Sequence, residues 1–429
     1  MRLIRPFPGL RPVPEHAADV VAPPYDVLSS EEARERARGR PWSFLHISRP
    51  EIDLPPQTDP HDPAVYAKGA ENLRRMLEAG ILRQDTQPCY YLYRLEMNGH
   101  VQIGLVAVAS VAAYERGLIK RHEFTRPDKE DDRVRQIDAL NAQTGPVFLT
   151  YRHRPEIDSV VQALTRREPD YDLVADDGVR HTLWAICEPD DVASLDRAFA
   201  QVDTLYIADG HHRSAAAARV AAMRRAVDPG QTGEEPYDWF QVVVFPDNQM
   251  KILDYNRVVR DLNGLDTGGF LARAREAFEV EPSEAPVRPA RPGELGMYLD
   301  GQWYRLRIRP ERVPADDPVG RLDVSLLQDN LIGPVLGITD PRRDQRIDFV
   351  GGIRGLEELV RRVDSGGMRV AFSLYPTSLE QLMAVADAGE VMPPKSTWFE
   401  PKLADGLVSH VLGELPGSGE SAGADRGDA

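Results

Sequence analysis

The sequence predicts a mixed α/β fold, on three observations. Apolar runs of strand length alternate with helix-length patterns from residue 89 to residue 255. Helix entry and exit residues bracket those patterns. Asn98-Gly99 stands between two apolar runs, the residue pair that a tight hairpin turn requires. At 429 residues with 42% hydrophobic content, the chain can bury more than one core.

Taken in order, residues 1–60 are proline-rich and irregular, with Ala22-Pro-Pro-Tyr-Asp26 as a turn. Ser29 caps a helix that Glu32 closes into a capping box. Ala64 to Ala79 reads as an amphipathic helix ending at Gly80. Cys89–Met97 and Val101–Ala113 are the two hairpin strands. A polar stretch, Lys120 to Arg133, leads into a helix over Val134–Gln143. Then follow a strand (Val147–Tyr151), a helix (Ile157–Thr165), a strand (Val179–Glu188) and a helix (Ser194–Gln201). Leu205–Ala208 ends a buried strand, and an Ala-rich helix starts near His211. Phe240–Phe245 and Lys251–Tyr255 are strands joined at Pro246–Asn248. Short strands with proline breaks fill 280–315, Leu322–Leu331 has helical character, and Leu356–Val363 and Ser378–Ala388 read as helices. Met392–Leu412 is the last ordered segment, and the composition of 414–429 predicts a disordered tail.

Bulk properties exclude several classes. No apolar run reaches the roughly 18 residues of a membrane span. The start lacks the apolar core of a signal peptide. With two cysteines, Cys89 and Cys187, pairing is open but no disulfide framework is implied, so a cytoplasmic protein is the expectation. A net charge of −16 argues against coating nucleic acid. It leaves room for a small anion held by local cations.

Three clusters carry chemistry. In Asp209-Gly-His-His-Arg213, strand, glycine turn and helix start present backbone N–H groups to an anion. Gly210 permits close approach, Arg213 grips phosphate, and His211 and His212 donate hydrogen bonds or move protons, with Ser214 behind them. The bland alternative is Asp209 capping a helix with exposed histidines. Zinc is not expected: adjacent helical residues point about 100° apart, and no CxxC occurs. In His122-Glu-Phe-Thr125 with Lys129-Glu-Asp-Asp-Arg133, Glu123 is a candidate general base, and Thr125 and Lys129 are candidate anion contacts. The same acids equally suit a solvated helix N-terminus. In Met392–Lys402, Lys395, Ser396 and Thr397 form an anion-binding trio, or else a rigid proline turn. Neither a P-loop, nor GxGxxG, nor GxSxG is present.

These clusters, together with Phe7-Pro-Gly-Leu10, Ala22-Pro-Pro-Tyr-Asp-Val27 and Tyr255-Asn-Arg257, resemble the family called domain of unknown function 1015 over nearly the whole chain, to about residue 412. Over residues 86–260, the Asp-Gly-His-His-Arg entry to an Ala-rich helix also resembles the phosphate-binding motif of ParB/sulfiredoxin-like proteins. That group includes a partition CTPase, sulfiredoxin and free serine kinases. The resemblance implies a ParB-like core over 86–262, elaborated into one composite globular unit by 1–85 and by an α+β part, 263–413, that closes the site. The tail would be 414–429. It implies a phosphotransferase acting on a small hydroxyl compound, free L-serine first, with ATP, ADP or pyrophosphate and Mg²⁺. Glu123, His212 and Asp209 would be catalytic. Gly210, His211, His212, Arg213, Ser214, Lys395, Ser396 and Thr397 would bind phosphate or nucleotide. His122, Thr125, Lys129, Glu130, Asp131 and Arg133 would support them, with Asp131 or Asp209 holding Mg²⁺. Two other readings stay open: a nucleotide-binding switch without turnover, and a metal-dependent hydrolase using His122, Glu123, His211 and His212. Neither a membrane nor nucleic acid is an expected partner.

Overall fold

The computed structural model describes residues 1–414. The tail expected over 414–429 therefore lies, from residue 415 on, outside the described residues. The fold is mixed α/β, and the chain forms two compact units: 1–120 with 124–249 and 401 onward, and 121–123 with 250–400.

The first unit is built on a nine-stranded sheet. Its order is Ile119–Lys120, Leu205–Asp209, Val147–Tyr151, Trp239–Pro246, His100–Ser110, Tyr90–Met97, Arg180–Ile186 and Tyr171–Val174, with Ile4–Arg5 also pairing to His100–Ser110. The expected hairpin is present. Met97 pairs with His100, and Asn98 and Gly99 both take positive φ, 51° and 78°, as this turn demands. Its second strand stops at Ser110, earlier than expected. The Ser110 side chain accepts from the Ala113 N–H and starts a short helix, Val111–Glu115. Where two sheet strands are parallel, as in Val147–Tyr151 with Trp239–Pro246, both faces are covered, and these strands are buried throughout and mostly apolar, Thr150 and Gln241 being the polar exceptions.

The Ala-rich helix, His211–Arg225, buries Ala216, Ala217 and Ala221. Small side chains let the helix axis approach its neighbours closely. Beside it runs Pro127–Leu140, which begins seven residues earlier than the sequence suggested. Pro127 sits in the first turn, where its missing N–H costs nothing, and Asp128 and Glu130 face the helix dipole. Val134, Ile137, Ala216 and Val220 share one core cluster. A four-stranded sheet, Leu82–Gln84, Gly9–Pro12, Ser409–Val411 and Ala142–Gln143, brings residues 401–411 back into this unit.

The second unit carries a six-stranded antiparallel sheet: Phe278–Ser283, Gln302–Ile308, Glu294–Leu299, Val370–Ser373, Tyr255–Val259 and Ile347–Gly351. The single strand expected over Lys251–Tyr255 is two. Lys251–Leu253 pairs with Trp398–Glu400, and after Asp254 the chain enters the larger sheet as Tyr255–Val259. The helical stretch expected to 331 is Asp323–Leu327 continued as a π-turn, Gln328–Ile332. No helix of the described residues is long and apolar enough to cross a membrane.

Cys89 and Cys187, left open by the sequence, are joined. They lie just outside the paired residues Tyr90 and Ile186 on adjacent strands, with Cα atoms 4.4 Å apart. The bond closes a loop across 98 positions of sequence. The double substitution Cys89→Ser with Cys187→Ser should therefore lower unfolding free energy by about 2–4 kcal/mol in denaturant titrations. An unchanged midpoint would show that the strand pairing alone fixes this edge.

Candidate functional site

The site grows from the turn after the Leu205–Asp209 strand. Gly210 takes φ +98°, and the helix starting at His211 has no side-chain cap. The first intrahelical bond runs from the Ser214 N–H to the Gly210 carbonyl, 3.0 Å. The N–H groups of His212 and Arg213 thus precede the helix's own bonding ladder and open toward whatever lies at its N-terminus. The Gly210 N–H is held by Asp209 Oδ1 at 2.8 Å. A side chain at 210 would place its Cβ 3.0 Å from Arg213 Nε and press on the guanidinium.

Arg213 folds back over this turn. It donates to the Pro146 carbonyl and lies 3.6 Å from Asp209 Oδ2 and 4.0 Å from Asp26 Oδ2. Lys402 Nζ approaches the same Asp209 oxygen at 3.8 Å. Burial alone would push the Asp209 carboxyl up, but Lys402, Arg213 and His211 outweigh it and hold the group below the usual carboxylate range. Two cations, one carboxylate and an uncapped helix start therefore meet at one point.

Behind Arg213 lies a cavity enclosing about 30 Å³. Arg133 reaches it from the Pro127–Leu140 helix, held by Asp132 and stacked 4.0 Å over the Tyr25 ring. The Tyr25 N–H donates to Asp405 Oδ2 at 3.2 Å, and Ala22 bridges to Asp405 through the backbone. Burial pushes the Asp405 carboxyl up to about 7, with Arg213 opposing the rise and Asp26 adding to it.

The other expected site residues divide between the units. His211 is buried, and its carbonyl accepts from the Ser214 hydroxyl. His212 Nε2 accepts from the Arg126 N–H at 3.1 Å, which leaves Nδ1 as the protonated nitrogen of the neutral ring. Burial lowers its pKa. Thr125 donates to Glu130, and Arg219 ties Glu130 and Asp131 across the two helices at 3.3 and 2.7 Å. Asp131 is thus engaged in a helix–helix ion pair, while Lys129 is exposed. His122, Glu123, Lys395, Ser396 and Thr397 belong to the second unit. There the Met392 N–H donates to the His122 carbonyl at 2.8 Å, so these two segments lie side by side. Ser396 Oγ donates to the Pro393 carbonyl, and Lys395 takes a left-handed φ of 59°. Among the described residues, no group of three or more His, Cys, Asp or Glu side chains is arranged to hold a metal ion.

Sequence reasoning missed Tyr25, Asp26, Lys402 and Asp405. Tyr25 and Asp26 stood inside a quoted motif but were read only as a turn. Lys402 closes the third cluster, where Lys395 drew attention instead. Asp405 had no local signal.

The Asp405 shift has a definite pH signature. Its folded pKa lies near 7, above the ordinary value of 3.8, so the unfolded chain releases this proton first as pH rises. The group costs nothing below about pH 4. Its cost grows between pH 4 and 7, to at most about 4 kcal/mol at 1.36 kcal/mol per unit. Asp405→Asn should therefore gain stability relative to the parent chain across that window. Parallel unfolding curves at pH 4 and pH 8, with no change in their separation, would remove the assignment.

No curated protein matches the chain. Solved structures with some likeness include a free serine kinase in complex with AMP, at 14% identity and a TM-score of 0.34, covering 70% of this chain and 92% of that one. A conserved hypothetical protein from Pyrococcus furiosus gives 15% and 0.33, with 70% and 93% covered. A C-terminally truncated SbnI from Staphylococcus aureus gives 12% and 0.35, with 70% and 85% covered. At such TM-scores nothing about the chemistry of this chain follows from them. Residues 4–325 match the model for the protein family of unknown function DUF1015, and the chain belongs to that family.

Proposed function

We propose that the protein is a phosphotransferase that moves a phosphoryl group from ATP, ADP or pyrophosphate to a small hydroxyl compound, with free L-serine as the first candidate. The observation that carries this reading is the meeting of Arg213 and Lys402 at the uncapped, glycine-entered start of the His211–Arg225 helix. Two cations and helix N–H groups outside the helix's own bonding are suited to the equatorial oxygens of a transferring phosphoryl group. Such chemistry asks for positioning and charge neutralisation rather than a covalent nucleophile.

In this scheme the donor's phosphate chain lies across residues 210–214. The acceptor hydroxyl gives up its proton as its oxygen bonds to phosphorus, and the donor leaves as ADP, AMP or phosphate. Mg²⁺ is held by phosphate oxygens and few carboxylates in such sites, and Asp209, kept ionised, is the residue of this turn that fits. With Nδ1 carrying the proton, His212 donates from that nitrogen. Glu123 is the proposed base, and Lys395, Ser396 and Thr397 are proposed phosphate contacts.

Calorimetry with Mg²⁺ and ATP, ADP or pyrophosphate tests the binding half. Arg213→Ala and Lys402→Ala should each weaken the bound donor roughly tenfold to a hundredfold, the range for lost charge-assisted hydrogen bonds. Turnover is read by phosphorus NMR with L-serine and a panel of hydroxy compounds. Glu123→Ala should abolish product while leaving donor affinity within about twofold. Tight donor binding with no product from any acceptor would replace this reading with a nucleotide switch. Equal binding by parent, Arg213→Ala and Lys402→Ala would sink both.

A further inference from the structure

The cavity behind Arg213 holds an unusual set of unmatched atoms. Ser48 Oγ, Gln241 Oε1 and Asp405 Oδ1 are all buried, all belong to residues lining this cavity, and none has a hydrogen-bond partner. Their residues are 5%, 1% and 2% exposed. Buried polar atoms are nearly always paired, so three around one void point to something that enters it.

The chemistry of the missing partner follows from what each atom can do. Gln241 Nε2 donates to the Val408 carbonyl, which fixes the amide with its oxygen toward the unpaired side. That oxygen only accepts. Asp405 Oδ1 accepts whenever the group is ionised, because Oδ2 is already taken by the Tyr25 N–H. Ser48 Oγ accepts as readily as it donates. Of the two arginines lining the cavity, Arg133 donates two hydrogen bonds to Asp132, and Arg213 donates to the Pro146 carbonyl, with Asp209 and Asp26 at 3.6 and 4.0 Å. An anion entering here would meet acceptor oxygens. A group rich in N–H bonds would satisfy them, and a primary ammonium carries three such bonds together with a charge opposite to that of ionised Asp405.

We propose that this cavity is the binding site for the primary ammonium group of a small amine, recognised by Asp405, Gln241 and Ser48. Its volume of about 30 Å³ admits about two waters, enough room for an ammonium group. Gly145 keeps the space open. A Cβ there would stand 3.5 Å from Asp405 Oδ1 and 3.6 Å from the Arg213 side chain. Resting on the phosphotransferase reading, the site further specifies the acceptor: a hydroxyl compound that also bears an ammonium, rather than a polyol or a simple hydroxy acid.

Binding should depend on pH through Asp405. Arg213, Arg133 and Asp26 are the charged groups that act on it, and Tyr25 gives it a backbone N–H. A bound ammonium favours the ionised carboxylate, so affinity should rise as pH increases through about 7.

The test uses the full chain without any phosphate donor, so that it stands apart from turnover. Ethanolamine and ethylene glycol, near-equal in size, are titrated by calorimetry and by ¹H–¹⁵N NMR. The expected result is saturable ethanolamine binding, at least tenfold tighter than glycol and weakening below pH 7. Asp405→Asn keeps an acceptor for the Tyr25 N–H, and it should lose most of this affinity and all of its pH dependence. Ser48→Ala, a milder change, should weaken binding a few-fold with the unfolding midpoint retained. Because no donor is present, the ethanolamine result is read independently of donor binding, so failure of the phosphotransferase reading leaves the amine result readable. Equal affinity for both probes, unchanged binding in Asp405→Asn, or no binding at pH 8 would overturn the proposal and leave a cavity that holds water only.

Discussion

The placement of the Arg213 guanidinium is the constraint on which the first unit's site depends. One buried cation draws together four segments distant in sequence: the Pro146 carbonyl before a sheet strand, Asp209 at the strand end, Asp26 in the proline turn, and the field around Asp405 in the returning C-terminal segment. Removing a charge from water is costly, and an arginine so placed is stable only where several acceptors share it. That need fixes the geometry in turn. The guanidinium folds back to within 3.0 Å of where a Cβ at residue 210 would stand, and residue 210 enters the helix with a positive φ that side chains rarely adopt. A single glycine meets both conditions.

How far the sequence reveals this can be judged residue by residue. The hairpin at Asn98-Gly99, the capping box at Ser29, and the strand–glycine–helix passage at 205–213 are local signals, and each appears as such. They are legible because the turn residues act through their own φ or their own side-chain bonds within three or four positions. Errors arise where tertiary contacts decide. The Pro127–Leu140 helix extends through a charged stretch because Arg219 of the neighbouring helix neutralises Glu130 and Asp131. Lys251–Tyr255 splits at Asp254 because its two halves pair with different strands.

The site shows the same division. Asp209 to Arg213 announces itself, since an anion site at a helix start needs only consecutive residues. Asp405 and Lys402 do not. They reach Arg213 and Asp209 because Ser409–Val411 joins a sheet beside Gly9–Pro12 and Ala142–Gln143, a pairing across some 400 residues that no local pattern encodes. Tyr25 is an intermediate case: its proline-flanked turn is legible, but its role as a platform for Arg133 is not.

Beyond architecture, the balance of charges in this region is itself informative. Asp132 holds Arg133 at hydrogen-bond distance, whereas Asp209 and Asp26 reach Arg213 only at 3.6–4.0 Å. Asp405, the most deeply buried acid of the group, forms no ion pair among the described residues and keeps one oxygen unbonded. Selection for stability alone would remove such a group, because replacing a buried unpaired charge with a neutral residue commonly stabilises a protein. Loose ion pairs at Arg213 and an unsatisfied carboxyl beside it instead describe a site poised between two ligand charges. Its cations are left partly available on the helix side, and its acceptors are left open on the cavity side. Pairing Asp405 tightly to Arg213 would quench both at once. The stability forgone at Asp405 is therefore consistent with a site that must accept opposite charges at neighbouring positions.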